Sequence, residues 1–475
     1  MPHSGGFSAI HGLIAVAIIA AIAVASAFIQ YGGSDGGFQL TPAGRGGSQS
    51  ETMGTEVGTG WSANETPDDA AAEAIGMALE GKAKKNPEFA VIFASSASDL
   101  QKILSRAREL LGNGTKIYGG TSDSRGVMTD KGFVKVSDQG YEYEMMGGKR
   151  GLAVMTVSSD DITFGVGYAN FSAYASPREG ARQAVIQAIS SAGKSLDEKP
   201  DVVFITPTKP YEDEAIEGIE EVVGKDTVIL GGSAGGPVFG VIGDGKVYES
   251  GISLAVIYTD LPVGWVFEGG FDVRGEHSGV VTGVDGRDIQ EIDHRPALDV
   301  YNEWLDGEVD RLYAENKDPR VVKSLLTLHP LYRKYTTPEG QEYYLFSHPW
   351  PTDPEQVGKG VSTSTNIREG ERVYLSHGTW EILMNRIGNL PEKARIYAGI
   401  GATDKVVFSA GYVCAGVLGT IPEEDREKMP ILMNYKNGGS PFIATFTWGE
   451  QGQMPGIGNK HGNLLTSFLV IGPKE

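Results

Sequence analysis

Cysteine is nearly missing from this 475-residue chain: there is one, Cys414. A single thiol excludes an intrachain disulfide framework and a cysteine-built zinc cluster. The eight histidines are scattered, with no His-x-x-x-His spacing to put two ligands on one helical face. Basic residues are the minority, 41 Lys and Arg against 61 Asp and Glu, for a net charge of −20. Nucleic acids and anionic membrane surfaces need clustered cations, so neither is an expected partner. Neither a Walker loop nor a Rossmann fingerprint occurs. The expectation is therefore a binding protein, not an enzyme, with no catalytic residue and no metal ligand assigned.

Charge is absent at the N-terminus, where no Lys, Arg, Asp or Glu precedes Asp35. Within that stretch Gly12–Ile29 is almost wholly apolar, just long enough for a bilayer helix, which wants about 20 such residues. It reads as an uncleaved anchor, as a secretory signal with Ala25-Ser26-Ala27 as a small-residue cleavage site, or as a pilin-type leader. The last reading rests on Gly6-Phe7 followed by the apolar run, which resembles the type IV pilin start; His11 stands where that family has an acidic residue. Residues 1–31 are thus expected to be a hydrophobic membrane or pilin-like helix, with a membrane-anchored, extracytoplasmic head. Residues 32–66, rich in Gly, Ser and Thr, read as a flexible linker. Thr66-Pro67-Asp68-Asp69 then opens a helix, with Thr66 as its N-cap.

The head writes one pattern at least twice. Ala90–Ala94 and Val202–Thr206 read as buried strands, being continuous in apolar residues. Amphipathic helices follow at Ser98–Leu111 and Glu212–Val223. Short β-branched runs then reach Gly119–Gly120 and Gly231–Gly232, and further apolar runs follow at Gly151–Val157 and Gly251–Tyr258. A diverged third copy begins at Lys405–Ser409, has its helix at Pro422–Met433, and ends with Phe442–Thr447 and Asn463–Ile471. An internal repeat is strong fold evidence in a single sequence. The class expected is α/β: repeated strand-helix-strand-strand units forming mixed sheets packed with helices. Two domains are expected in the head, at residues 67–327 and 328–475.

These motifs resemble the FIST sensory domains, N-terminal and C-terminal. The N-terminal part is similar in Gly-Gly-Thr-Ser (Gly119–Ser122), Gly-Gly-Ser-Ala-Gly (Gly231–Gly235) and the helix entry His294–Tyr301. The C-terminal part is similar in Ile367–Leu375, Val407–Cys414, Thr447-Trp448-Gly449-Glu450 and His461–Thr466. The resemblance implies a small-molecule sensor, with an amino acid as the suggested ligand; some relatives bind haem and respond to nitric oxide.

Glycines directly after a buried strand let a ligand approach the backbone, and free N–H groups there hold anions. Crevices at the carboxyl ends of strands are where open α/β sheets bind ligands. The candidate ligand-binding residues are therefore Gly120, Thr121, Ser122, Arg125, Gly232, Ser233 and Ala234. Cys414, Trp448, Glu450 and Asn463 join them through the resemblance, although residue chemistry alone reads Cys414 as a buried inert thiol and Glu450 as a solvated acid. Three functions follow as expectations: a membrane-tethered small-molecule sensor acting through a separate signalling or transport partner, a haem-based gas sensor, and a pilin-like, self-assembling filament subunit.

Overall fold

The computed structural model describes residues 29–30, 37–40, 54–96, 98–123, 126–135, 150–315, 319–350, 360–401 and 404–474. Three units share one order. The first has β1 (Thr55–Ser62), α1 (Pro67–Leu79), β2 (Phe89–Ser95), α2 (Leu100–Leu111), β3 (Lys116–Ser122), a hairpin of β4 (Gly126–Thr129) and β5 (Gly132–Lys135), and β6 (Leu152–Ser159). The second has β7 (Ile162–Asn170), α3 (Pro177–Ser191), β8 (Val202–Pro207), α4 (Glu212–Val223), β9 (Val228–Gly232), a hairpin of β10 (Val241–Ile242) and β11 (Val247–Tyr248), and β12 (Gly251–Thr259).

The third unit starts at β13 (Val263–Gly269) and is interrupted by an inserted region. That region carries β14 (Ser278–Asp285), β15 (Asp288–Ile292), α5 (Ala297–Trp304), α6 (Glu308–Ala314), α7 (Pro319–Leu328), β16 (Leu331–Thr336), β17 (Glu342–Ser347) and β18 (Arg372–Leu375). The unit resumes with α8 (Trp380–Gly388), α9 (Leu390–Tyr397), β19 (Phe408–Cys414), α10 (Ala415–Thr420), α11 (Lys428–Lys436), β20 (Phe442–Thr447), a hairpin of β21 (Glu450–Met454) and β22 (Gly458–Gly462), and β23 (Leu465–Ile471).

In each unit the two middle strands are parallel, β2 with β3, β8 with β9 and β19 with β20. The closing strand returns antiparallel to the first of them. Each hairpin leaves its own unit. Strand β4 extends the third sheet beside β20, β10 extends the first beside β3, and β21 extends the second beside β9. The exchange is cyclic, so no unit is complete without its neighbours. A ring of backbone hydrogen bonds seals it where the strands end: Asp123 N donates to Phe446 O (2.7 Å), Gly235 N to Thr121 O (3.0 Å) and Trp448 N to Ser233 O (3.3 Å).

The helices lie outside the sheets, and small residues decide how closely. A Cβ on Gly58 or Gly60 would stand 1.8 or 2.0 Å from the carbonyls of Ala78 or Ala74 in α1. Gly165 and Gly167 face Ala188 and Ala184 of α3 at 2.0 and 1.8 Å in the same way, and Gly264 faces Ala394 of α9 at 2.1 Å. Glycine on the strand and alanine on the helix thus form one packing device, used three times. Capping follows local rules where the chemistry is present: Asp99 accepts from Lys102 N and Ser176 from Glu179 N. Thr66 holds the expected N-cap position, but its side chain makes no capping bond.

Several expectations need correction. Thr55–Ser62, read as part of a flexible linker, pairs along its whole length with β6; its glycines serve close packing, not freedom. Gly37–Leu40 is also a strand. Gly119–Gly120 and Gly231–Gly232 lie inside β3 and β9. In the third copy the strand expected at Lys405–Ser409 is Phe408–Cys414, the helix expected at Pro422–Met433 is Lys428–Lys436, and the unit's first strand, Val263–Gly269, lies far upstream of both. The apolar run Gly12–Ile29 lies outside the described residues save Ile29, which with Gln30 pairs antiparallel to Gln39 and Leu40. Among the described residues no helix is long and apolar enough to cross a membrane.

At the centre the three sheets bury Phe93, Tyr118, Phe204 and Tyr412 against one another, with ring centroids 5.9–6.1 Å apart. Three hydroxyls meet there: Tyr118 Oη lies 2.7 Å from Thr206 Oγ1 and 2.8 Å from Tyr412 Oη, one group from each unit. A buried hydroxyl that loses its partner costs about 1–3 kcal/mol. Tyr118→Phe is therefore expected to lower the unfolding free energy by about that amount in a urea titration, with the slope unchanged.

Candidate functional site

The hydrogen-bonded ring places three pairs of strand ends around one pole. Ser96 and Asp123 come from the first unit, Lys209 and the Gly235–Gly236 turn from the second, and Trp448 from the third. Trp448 Nε1 donates to Asp123 Oδ2 at 2.5 Å, which ties the third unit to the first. Lys209 Nζ sits 3.8 Å from the centre of the Trp448 ring and 5.7 Å from that of Phe239. Among the described residues no hydrogen-bond acceptor or ion pair holds its ammonium group, so its contacts are the faces of two aromatic rings. Burial pushes the Lys209 amine down to about 8; Arg287 and Lys323 push the same way, while Glu212 and Asp123 oppose them. At the same pole the Ser96 hydroxyl is buried with no hydrogen-bond partner among the described residues, and a Cβ on Gly236 would fall 2.2 Å from it.

A second polar group lies on the seam between the second and third units. Glu212, the first residue of α4, is wholly buried; it accepts from Ser233 Oγ at 3.1 Å and from Arg287 Nη2 at 2.9 Å. Arg287 belongs to the inserted region and also donates to Pro210 O and Ser364 O, so one guanidinium clamps insertion to body next to Lys209. His461 is buried, with Nδ1 3.4 Å from Asp213 Oδ2 and Nε2 3.9 Å from Glu212 Oε1. Gly231–Gly235 has the Gly-x-Ser-x-Gly spacing of a nucleophile elbow, but the Ser233 hydroxyl is buried and spent on Glu212.

The residues expected from sequence divide accordingly. Gly120 and Thr121 lie within β3, and Thr121 N donates to Gly240 O at 2.9 Å. Ser122 Oγ bonds Gly126 O and receives Phe446 N. Gly232 ends β9 under the Thr447 side chain, and Ser233 N and Ala234 N donate to Gly449 O and Pro207 O. The Thr121, Ser233 and Phe446 amides join units, the Ala234 amide ties two strand ends of the second unit, and side chains are left to line the pole. Trp448 is at the pole. Cys414 is buried, its thiol pushed well up by burial and by Glu450. Asn463 receives His348 N at 3.4 Å. Arg125 lies outside the described residues. Sequence reasoning missed Lys209, Asp123, Glu212 and Arg287. The repeat itself held a signal for the first: Lys209 follows β8 where Ser96 follows β2.

Comparison with known proteins places residues 88–295 in the FIST N domain and residues 297–453 in the FIST C domain. FIST domains are generally small-molecule sensory domains. No curated protein sequence matches the chain. Among solved structures, a cyanuric acid hydrolase from A. caulinodans is similar at 12% identity over 45% of this chain and 71% of that one, with a TM-score of 0.26. PurLQS from Thermotoga maritima is similar at 9% identity over 89% and 73%, with a TM-score of 0.21. Likenesses this distant carry no functional argument.

Glu450 is the site's one clear reversal of expectation, since it is not solvated but wholly buried. It accepts from Thr447 Oγ1 at 2.8 Å and from Leu465 N at 3.2 Å. Burial pushes its carboxyl up from 4.5 to about 8. The folded state holds this proton more tightly than the unfolded chain does, so the stability it contributes is full below pH 4.5 and is lost as pH rises through about 8. Unfolding free energies across that window are expected to fall by up to about 1.4 kcal/mol per pH unit, and Glu450→Gln is expected to flatten the decline.

Proposed function

The chain belongs to the FIST family, and on that premise we propose a sensory protein whose ligand sets an anionic group, a carboxylate above all, against Lys209 at the pole of the three units. The carrying observation is the lysine itself: an ammonium largely out of water, stacked on Trp448 and without a hydrogen-bonded acceptor. A desolvated cation is costly unless an anion reaches it, and a carboxylate supplies charge and acceptors together. Trp448 offers its face to the ligand's carbon skeleton, with its indole fixed by Asp123. Asp123 and Glu212 supply negative charge nearby, which suits the ammonium of an amino-acid-like ligand. Arg287 grips Pro210 O, one residue from Lys209, so a ligand that moves this segment is felt by the inserted region. The apolar run Gly12–Ile29 supports the finer reading that the head works tethered to a membrane.

A thermal-shift screen of the chain with the common amino acids tests this. A ligand at one hundred times its Kd stabilises by about 2.7 kcal/mol. One or more amino acids is expected to raise Tm, Lys209→Ala to abolish the rise, and affinity to weaken about tenfold per pH unit above 8 as the ammonium deprotonates. Lys209→Arg is expected to retain binding without that decline. Absence of a shift from every amino acid, or a shift that survives Lys209→Ala, refutes the reading.

A further inference from the structure

Strand β13 ends its sheet: one edge pairs with β23, and no strand among the described residues pairs with the other. Strand β17 ends the inserted sheet in the same way, pairing only with β16. The two strands meet at Gly269, where an added Cβ would lie 2.7 Å from the Phe346 ring. Elsewhere they line a groove of 530 Å³. Consecutive residues of β13, Trp265 to Gly269, line it, as a groove along a strand's edge requires. Both faces of β13 are covered beside this edge. Helix α9 supplies one wall through Lys393 and Tyr397, and the β21–β22 hairpin supplies the other through Gln453 and Pro455.

We propose that this slot receives an extended peptide, which adds a strand to the sheet beyond β13. A free edge presents N–H and C=O groups at about 3.3 Å per residue, and a polypeptide in extended form matches that spacing. The charged groups of the walls already neutralise one another. Lys393 Nζ holds both Glu268 oxygens, at 2.5 and 2.6 Å, while Lys334 and the Tyr344 hydroxyl hold Glu342 at 2.5 and 2.7 Å. The segment that enters is accordingly uncharged and about five residues long, the length of the lining edge. Its side chains alternate, apolar ones toward Phe267 and Phe346 and polar ones toward Lys393 and Tyr397. Such a slot gives the protein a place to dock a partner's chain, separate from the ligand pole.

The test pans random heptapeptides displayed on phage against the full chain. A selected peptide is then resynthesised with alternate amides N-methylated, in two versions. The peptide is expected to slow hydrogen exchange at the alternate amides of Val263–Gly269 that β23 leaves unpaired. One methylated version is expected to lose about tenfold or more in affinity while the other keeps it, as pairing along a single edge demands. Tyr343→Ala is expected to weaken binding. Failure to select any peptide, protection elsewhere, or equal tolerance of both methylation patterns overturns the proposal. Two other occupants overturn it as well: slow exchange in the free chain of those Val263–Gly269 amides that β23 leaves unpaired puts one of its own segments in the slot, and a concentration-dependent dimer that Tyr343→Arg dissolves puts a second copy there.

Discussion

Three backbone hydrogen bonds, from Asp123, Gly235 and Trp448 to Phe446, Thr121 and Ser233, close the molecule on itself. Each donor lies just past a strand of one unit and each acceptor lies in the next. With the three exchanged hairpins they leave every unit's sheet dependent on a strand from a neighbour. A single unit lacks the strand that covers the free edge of its parallel pair, and an exposed edge invites pairing with another chain. The ring also determines where chemistry can occur, because it gathers the residues after six parallel strands at one pole.

Glycine does different work here from the work its abundance suggests. At Gly58, Gly60, Gly165, Gly167 and Gly264 a side chain would strike a helix carbonyl at 1.8–2.1 Å. At Gly119 and Gly231 it would strike the neighbouring strand's carbonyl at 1.8 and 2.0 Å. In both settings the missing Cβ lets backbones approach, in the one case helix on sheet, in the other strand beside strand. The amides that follow are spent on the seams between units or, at Ala234, within the second unit, so the pole is lined by side chains.

Polar groups are concentrated on those seams. Glu212, Ser233, His461, Glu450 and Gln451 are all buried between the second and third units. Burial makes charge expensive unless it is paired, and the two outcomes stand side by side. Glu212 has Arg287, whereas Glu450 has neutral donors and is pushed toward its protonated form. Lys209 lies on the same seam with an aromatic face in place of a counter-ion, and that difference separates the proposed ligand pole from the buried network behind it.

The local features were legible in the order of residues alone. Continuous apolar runs marked the buried strands, and α4 was found at its observed limits because its apolar residues recur at helical spacing. The double glycines marked the repeat, and the repeat led to the α/β class and to the strand ends as the place to look. Other features depended on distance through space. That Thr55–Ser62 is a strand depends on β6, roughly a hundred positions away. Lys209 acquires its character from Trp448, and Glu450 its burial from β23, in parts of the chain no local window joins. Hydrophobic period and turn chemistry act over a few residues and are written in sequence; desolvation and pairing arise only when distant segments exclude water together, and these the tertiary structure decided.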